Sequence, residues 1–181
     1  MTMLSTTGGP LGLASANPAE LVFATDRLRV EHEWLRLHLK TLEAKAKEAK
    51  QLNTAASGVT ALRELLEQAS VLEEELERHA MWEERELFPF LLAYHHRHAV
   101  PSIVPSFWVL EKDYQLALLF LQSFRETATK GISLFAKPLL EEAVANLVQA
   151  CLILKDHLTM EEQLVYPITE QVLTDLDYFF S

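Results

Sequence analysis

The chain has 181 residues, of which 49% are hydrophobic, so it is long enough for one domain with a substantial apolar core. Its formal charge of −10 argues against nucleic acid or an anionic membrane surface as a partner, because phosphate groups are bound by clustered lysine and arginine. Only five glycines and seven prolines accompany abundant leucine, alanine and glutamate, a composition that favours an all-α fold.

The single cysteine, Cys151, excludes an internal disulfide and a cysteine zinc cage, and its apolar neighbours indicate a buried, inert thiol. The sequence contains no run of about 18 apolar residues, the length that a transmembrane helix needs. Residues 1–17 lack the basic start of a secretory signal. We therefore expect a cytoplasmic protein with a flexible N-terminal tail over residues 1–17 and one helical domain over residues 18–181.

Two segments in the first half of the chain repeat apolar residues at intervals of three and four, which is typical of helices that face a core. The first begins at Asn17-Pro18 or at Thr25-Asp26, and it ends before the loop NTAASG at 53–58. The second contains His79 and Glu83. It is expected to continue past Pro89 with a kink and to end within residues 95–102.

Two further segments in the second half show the same spacing. Ser106 is expected to cap the third helix, which Lys130-Gly131 would end, and Pro138 is expected to open the fourth. The residues after Pro167 predict a short closing helix. Because short loops join these long segments, we predict an up-down-up-down antiparallel four-helix bundle.

The most informative feature is a repeated segment. HAMWEERELFP at 79–89 returns as HLTMEEQLVYP at 157–167, and each copy has His, then two Glu four and five positions on, then an aromatic residue and Pro. Positions four apart lie on one face of a helix, about one turn from each other. Each copy therefore presents an imidazole beside a carboxylate.

These polar residues occupy positions that would otherwise hold core Leu or Ala. A single histidine in such a position is usually a core residue with a hydrogen-bond partner. Burying ionised carboxylates without a partner costs several kcal/mol, whereas a cation would compensate their charge. The predicted ligands from the first, second and fourth helices are His32, His79, Glu83, His157 and Glu161.

Imidazole nitrogen and carboxylate oxygen without thiolate suit iron, with manganese or zinc as alternatives. In helical bundles, carboxylates from facing helices can bridge two metal ions. Glu83 and Glu161, each one turn from its histidine, are the natural bridging groups. Glu84 and Glu162, one residue further along, could be alternative ligands or groups that contact a ligand from behind, and a solvated or ion-paired role is equally open.

With these motifs, the chain resembles the hemerythrin-like (HHE cation-binding) domains. The resemblance covers residues 26 to about 170 and rests on His32 in VEHEWL at 30–35, the two repeated segments, and their order on four helices. It implies a non-haem, usually di-iron, site with bridging carboxylates and an open position for a small diatomic ligand. Members of the family bind oxygen, sense oxygen, nitric oxide or iron, or help to repair iron–sulfur clusters.

The third helix departs from the family pattern. Where the family usually has an acidic residue followed by His, this chain has Asp113 and Tyr114, and the position one turn later is Leu118. Tyr114 is either a phenolate ligand, because a ferric ion lowers the pKa of a phenol from about 10, or an aromatic core residue with a hydrogen-bonded hydroxyl. We include Tyr114 among the predicted metal ligands.

The favoured function is a metal-binding module rather than an enzyme, which binds or senses oxygen or nitric oxide or takes part in iron and oxidative-stress handling. The alternative is a di-iron oxidase or peroxidase acting on peroxide or another small oxidant, which the loss of imidazoles from the third helix favours slightly. A structural bundle with a decayed metal site is the third hypothesis. The apolar segments SFWVL at 106–110 and LDYFF at 176–180 are candidates for a homodimer contact.

Overall fold

The computed structural model describes residues 18–97 and 104–180 of the chain, and the predicted tail at 1–17 lies outside them. Within these ranges the structure is helical and contains no strand, which confirms the all-α prediction. The elements in chain order are α1 (Pro18–Ala49), α2 (Ala55–Trp82), a π-helical turn (Glu83–Leu87), α3 (Phe88–Arg97), α4 (Val104–Ser133) and α5 (Lys137–Phe180).

The helix boundaries differ from the predicted ones at several points. Thr54 caps α2 by accepting a hydrogen bond from the Ser57 backbone N–H at 3.2 Å, so this helix begins inside the predicted loop. Helix α4 begins at Val104, ahead of the predicted cap Ser106. Helix α5 continues through Pro167 to Phe180, so the residues after Pro167 extend the fourth helix and do not form a separate short one.

Long-range contacts give the helices their relative direction. Helices α1 and α5 are antiparallel, because Thr25 contacts Thr169 towards one end of the pair and Leu52 accepts a hydrogen bond from Lys137 at the other. Helices α2 and α4 are joined by an ion pair between Glu73 and Arg125, at 2.7 Å. Neighbours along the chain also pack against each other, as the predicted antiparallel four-helix bundle requires.

Helices α2 and α4 approach closely at the end of the bundle far from the repeated segments. A Cβ atom on Gly58 would overlap the Phe135 ring, and one on Gly131 would lie 2.8 Å from Leu62 Cδ1. Both glycines are therefore needed for close packing, and Phe135 closes this end of the main core.

The buried side chains form two apolar clusters along the bundle axis. The larger one extends through most of the bundle, and Leu35, Leu76 and Leu158 lie at its end nearest the repeated segments, which we call the upper end. The smaller one, the upper cluster, consists of Leu28, Trp82, Leu87, Phe90, Leu91, Val165 and Ile168. His32, His79 and Glu161 each lie in sequence between residues of the two clusters, so apolar side chains flank them in both directions along the bundle axis.

One segment is not a regular α-helix. In the turn Glu83–Leu87 the hydrogen bonds span five residues, and the Phe88 N–H donates to the carbonyl of Glu83. We predicted a kink here from Pro89, whose ring lacks an N–H and would meet the carbonyl four residues earlier in an α-helix. The π-helical turn absorbs this disruption immediately before the proline. Such turns are frequent at functional sites, and this one begins at Glu83.

No helix among the described residues is both long enough and apolar enough to cross a membrane.

Candidate metal centre

Four of the predicted ligands come together between the two apolar clusters. A ligand atom from each of His32, His79, Glu83 and Glu161 lies within 4.8 Å of every other one, and all four residues are buried. Helix α1 supplies one of these groups, α2 and the π-helical turn supply two, and α5 supplies the fourth. The cluster is compatible with metal binding because it concentrates imidazole and carboxylate donors in an apolar interior.

The two histidines have a spacing that fits one metal ion. Their Nε2 atoms are 3.1 Å apart. Two nitrogen ligands at right angles, each about 2.1 Å from a first-row metal, would be roughly 3 Å apart. His32 Nε2 and His79 Nε2 can therefore serve as neighbouring ligands of the same ion without a change in helix packing.

The carboxylates have unsatisfied oxygen atoms that fit a cation. Both oxygens of Glu161 and the Oε1 atom of Glu83 are buried and have no hydrogen-bond partner, although Glu83 Oε1 lies 2.8 Å from His79 Nε2. Buried polar atoms are nearly always hydrogen-bonded in folded proteins. Orphaned acceptors beside imidazole nitrogens are the arrangement that a bound metal ion would satisfy.

Glu161 occupies the centre of the cluster. Its Oε2 atom lies 3.4 Å from His32 Nε2, 3.9 Å from His79 Nε2 and 4.0 Å from His157 Nε2. Imidazoles from α1, α2 and α5 therefore all lie within 4.0 Å of this one carboxylate oxygen. This central position is the one expected of a carboxylate that bridges two ions.

His157 and Tyr114, the other two predicted ligands, are not among the four clustered residues and lie beside them. The two rings are 5.9 Å apart between centroids, with His157 buried and Tyr114 half-buried. His157 Nδ1 is buried and has no hydrogen-bond partner. Leu118, at the position where a second family histidine would lie, is 37% exposed and does not face the core. This part of the site therefore offers the imidazole of His157 and the phenol of Tyr114 beside the carboxylates of the cluster.

In the absence of a metal ion, burial and the neighbouring carboxylates shift the pKa values of His79 and Glu83. Burial alone would lower the pKa of His79, but Glu161, Glu31 and Glu83 raise it to about 12. Burial raises the pKa of Glu83 well above its usual value, and the nearby Glu161 charge adds to this effect. Without a metal ion, the protonated imidazole of His79 therefore supplies positive charge beside the carboxylates.

His157 and Tyr114 are neutral in the metal-free protein. Burial lowers the pKa of His157, so its imidazole is unprotonated and available as a ligand. Burial raises the pKa of Tyr114 to about 12, and the surrounding glutamates add to the shift. Among the described residues, no cation is positioned to lower it. Phenolate formation at neutral pH would therefore require a bound metal ion.

A second layer of carboxylates positions the two paired histidines. Glu31 Oε2 lies 2.7 Å from His79 Nδ1, and Glu162 Oε1 lies 2.9 Å from His32 Nδ1. Each carboxylate is in turn bound by an arginine of α1, Arg27 for Glu31 at 2.7 Å and Arg36 for Glu162 at 3.1 Å. Glu162 thus contacts a histidine from outside the donor cluster, which is one of the roles left open for it.

The sequence reasoning missed Glu31 and both arginines. The only available signal was the acidic residue immediately before His32, because a metal-binding histidine usually donates its other N–H to a carboxylate or carbonyl. Glu84, the other residue whose role was open, is exposed and lies outside the four-residue cluster.

A helical bundle with buried imidazole and carboxylate donors on three helices defines a class of proteins that bind cations in the bundle interior. The family profile described as the hemerythrin HHE cation binding domain matches residues 24–169, which is most of the chain. The chain therefore belongs to this family, as its motifs indicated. No curated protein and no solved structure matches the chain significantly.

Proposed function

We propose that this protein holds non-haem iron as a pair of ions in the buried cluster and uses it to bind or sense a small ligand such as dioxygen or nitric oxide. The observation that carries the proposal is the central carboxylate Glu161, which is fully buried with both oxygens unpartnered. A structural role would not favour a charged group at this position, since an apolar residue of similar size avoids the desolvation cost.

The donor set suggests how two ions would be held. His32 and His79 would bind one ion, His157 and Tyr114 would bind the other, and Glu83 and Glu161 would lie between them. Iron in such a site supplies reversible binding of small diatomic ligands and one-electron redox chemistry. The protein side chains hold the donors in fixed positions, and the two apolar clusters shield the site along the bundle axis.

A second candidate function is an oxidase or peroxidase that acts on peroxide or another small oxidant. The observation that favours it is the absence of imidazole from α4, where Tyr114 faces His157 and Leu118 is exposed. Anionic oxygen donors stabilise the ferric state relative to the ferrous state, which opposes a freely reversible oxygen carrier. Manganese and zinc are the alternative metals for the same donors.

Metal analysis and visible spectroscopy test both candidates. The purified protein, grown with ample iron, should contain close to two iron ions per chain and show a visible spectrum that changes reversibly with oxygen or nitric oxide. Sustained peroxide consumption would favour the enzyme instead. Absence of metal after iron-rich growth, together with a folded His79→Ala variant of unchanged stability, would contradict every metal-based function.

A further inference from the structure

A pocket of about 400 Å³ opens beside the candidate metal centre, between α4 and the segment formed by the end of α2, the π-helical turn and α3. Its inner end includes Glu83, Tyr114 and His157. A water molecule occupies about 30 Å³ in the liquid, and a diatomic ligand is of comparable size. The pocket is therefore much larger than the small ligand of the proposed function requires.

The walls of the pocket are mainly apolar and aromatic. Phe88 and Phe107 stack on each other with their ring centroids 4.4 Å apart. The Trp108 side chain is 60% exposed, and Leu110 is buried. The apolar lining residues are Ala80, Phe88, Pro89, Leu92, Phe107, Trp108 and Leu110. A concave apolar wall with a few polar groups at one end is the usual form of a site for an organic ligand.

The polar residues of the pocket restrict the charge of its ligand. Besides the buried Glu83, the lining includes the exposed carboxylates Glu84 and Glu111. Among the residues that the structure describes, the lining contains no lysine or arginine, and the chain as a whole has a formal charge of −10. An anionic ligand would thus be repelled, whereas a neutral apolar molecule would gain from burial against the aromatic wall.

The inner end also offers an unused polar atom. His157 is 7% exposed, and its Nδ1 atom has no hydrogen-bond partner. Tyr114 contributes the second polar group on the same side. A ligand in the pocket would therefore have its apolar body against the aromatic wall and its inner end close to the proposed ligands of the second ion.

We propose that this pocket binds a neutral, largely apolar organic molecule with an aromatic or similarly flat body. One end of the bound molecule would lie next to His157 and so give it access to the metal centre. The pocket does not depend on a bound metal. Only its role as a route to the metal centre rests on the proposed function.

N-phenylnaphthylamine, a neutral fluorescent probe, tests the pocket on the full chain without metal. We expect saturable binding of one probe per chain, and binding of the sulfonated analogue anilinonaphthalene sulfonate that is at least about tenfold weaker, owing to like-charge repulsion at the carboxylates. Leu92→Trp should fill part of the pocket and weaken binding of the neutral probe about tenfold or more. Leu119→Trp, which makes the same change on an exposed part of α4 outside the lining, should leave binding unchanged.

A charge reversal at the exposed Glu84 guards against a folding defect in Leu92→Trp. Glu84→Arg should strengthen binding of the sulfonated probe and leave the neutral probe unaffected, while Glu48→Arg on the exposed face of α1 should change neither. The proposal would be overturned if the neutral probe showed no saturable binding, or if wild type and a folded Leu92→Trp variant bound it equally.

The iron-loaded protein separates this proposal from the proposed function. Addition of the neutral probe should shift the visible spectrum of the bound iron, and an unchanged spectrum at saturating probe would refute the route to the metal centre. If the chain binds the probe with the expected variant pattern but takes up no metal, the proposed function fails and the pocket stands.

Discussion

Glu31 and Glu83 contact opposite nitrogens of the same imidazole: Glu31 Oε2 lies 2.7 Å from His79 Nδ1, and Glu83 Oε1 lies 2.8 Å from His79 Nε2. The ring orientation is thus fixed from outside by a carboxylate that is half-buried and bound to Arg27. With Nδ1–H donating to Glu31, the Nε2 atom is directed into the donor cluster. His32 has the same arrangement, with Glu162 and Arg36 behind it.

Glu31→Gln should weaken metal binding about 10- to 100-fold, because the neutral amide supports the His79 ring less strongly than a carboxylate does. Competition against a chelator of known affinity measures the change. Glu33→Gln, two residues away on the exposed face of the same helix, should bind metal like the wild type. Equal affinities for the two variants would mean that Glu31 has no role in positioning His79.

Periodicity was sufficient to predict the fold and the residues that form the cluster. An apolar spacing of three and four identifies which positions face inward without any knowledge of rotamers, and His32, His79, Glu83 and Glu161 all lie at such positions. The spacing also placed Tyr114 on the inward face of the third helix, where the structure brings it close to His157.

The same periodicity could not predict the second layer. Glu31 and Glu162 lie one position away from the inward stripe, and they are only partly buried. Whether such residues contact a histidine on a neighbouring helix depends on the axial offset of the helices and on side-chain rotamers, neither of which is encoded in local spacing. The π-helical turn was also missed, because Pro89 indicates a disrupted helix without specifying which hydrogen-bond pattern replaces it.

Glu83→Gln should abolish tight metal binding while leaving the stability of the metal-free protein within about 0.5 kcal/mol of wild type. Burial raises the pKa of Glu83 well above its usual value, which favours the neutral carboxyl in the metal-free protein, and an amide of the same shape replaces it. Added iron at 100 times its dissociation constant should stabilise the wild type by about 2.7 kcal/mol, and this gain should be lost in the variant.

Chemical denaturation with and without iron measures both effects of Glu83→Gln. The adjacent Glu84→Gln is the matched control and should keep the stabilisation by iron, since Glu84 is exposed and lies outside the cluster. A variant at Glu83 that retained the full stabilisation would exclude this carboxylate as a metal ligand.

Glu43→Gln should reduce stability at neutral pH by about 0.5–1 kcal/mol, and the difference should disappear in acid. Hydrogen bonds from Lys155 and Lys47 lower the pKa of Glu43 below 4.5 in the folded state and connect α1 to α5. A depressed carboxyl pKa contributes stability above the unfolded-state value of about 4.5, and this contribution is lost as the pH falls through the folded-state pKa.

Urea denaturation of both proteins between pH 7 and pH 3 would show this convergence. Glu48→Gln, five residues further along α1 at an exposed position, should match the wild type throughout. A difference between Glu43→Gln and wild type that persisted at the lowest pH would assign the effect to packing of the side chain rather than to its charge.

Tyr114→Phe should remove a broad long-wavelength absorption band from the ferric protein, because that band requires transfer of charge from a phenolate to iron. The pKa of Tyr114 is raised to about 12 in the metal-free protein, so the phenolate forms only when iron replaces its proton. Loss of one hydroxyl from a half-buried ring should leave the bundle folded, as far-ultraviolet circular dichroism would verify.

Tyr166→Phe provides the matched control for Tyr114→Phe. Tyr166 is also half-buried, but it lies on α5 with Arg29 positioned 5.8 Å from its ring centroid. Its substitution should leave the ferric spectrum unchanged. If both variants retain the wild-type spectrum while binding the same amount of iron, Tyr114 is an aromatic core residue and not a metal ligand.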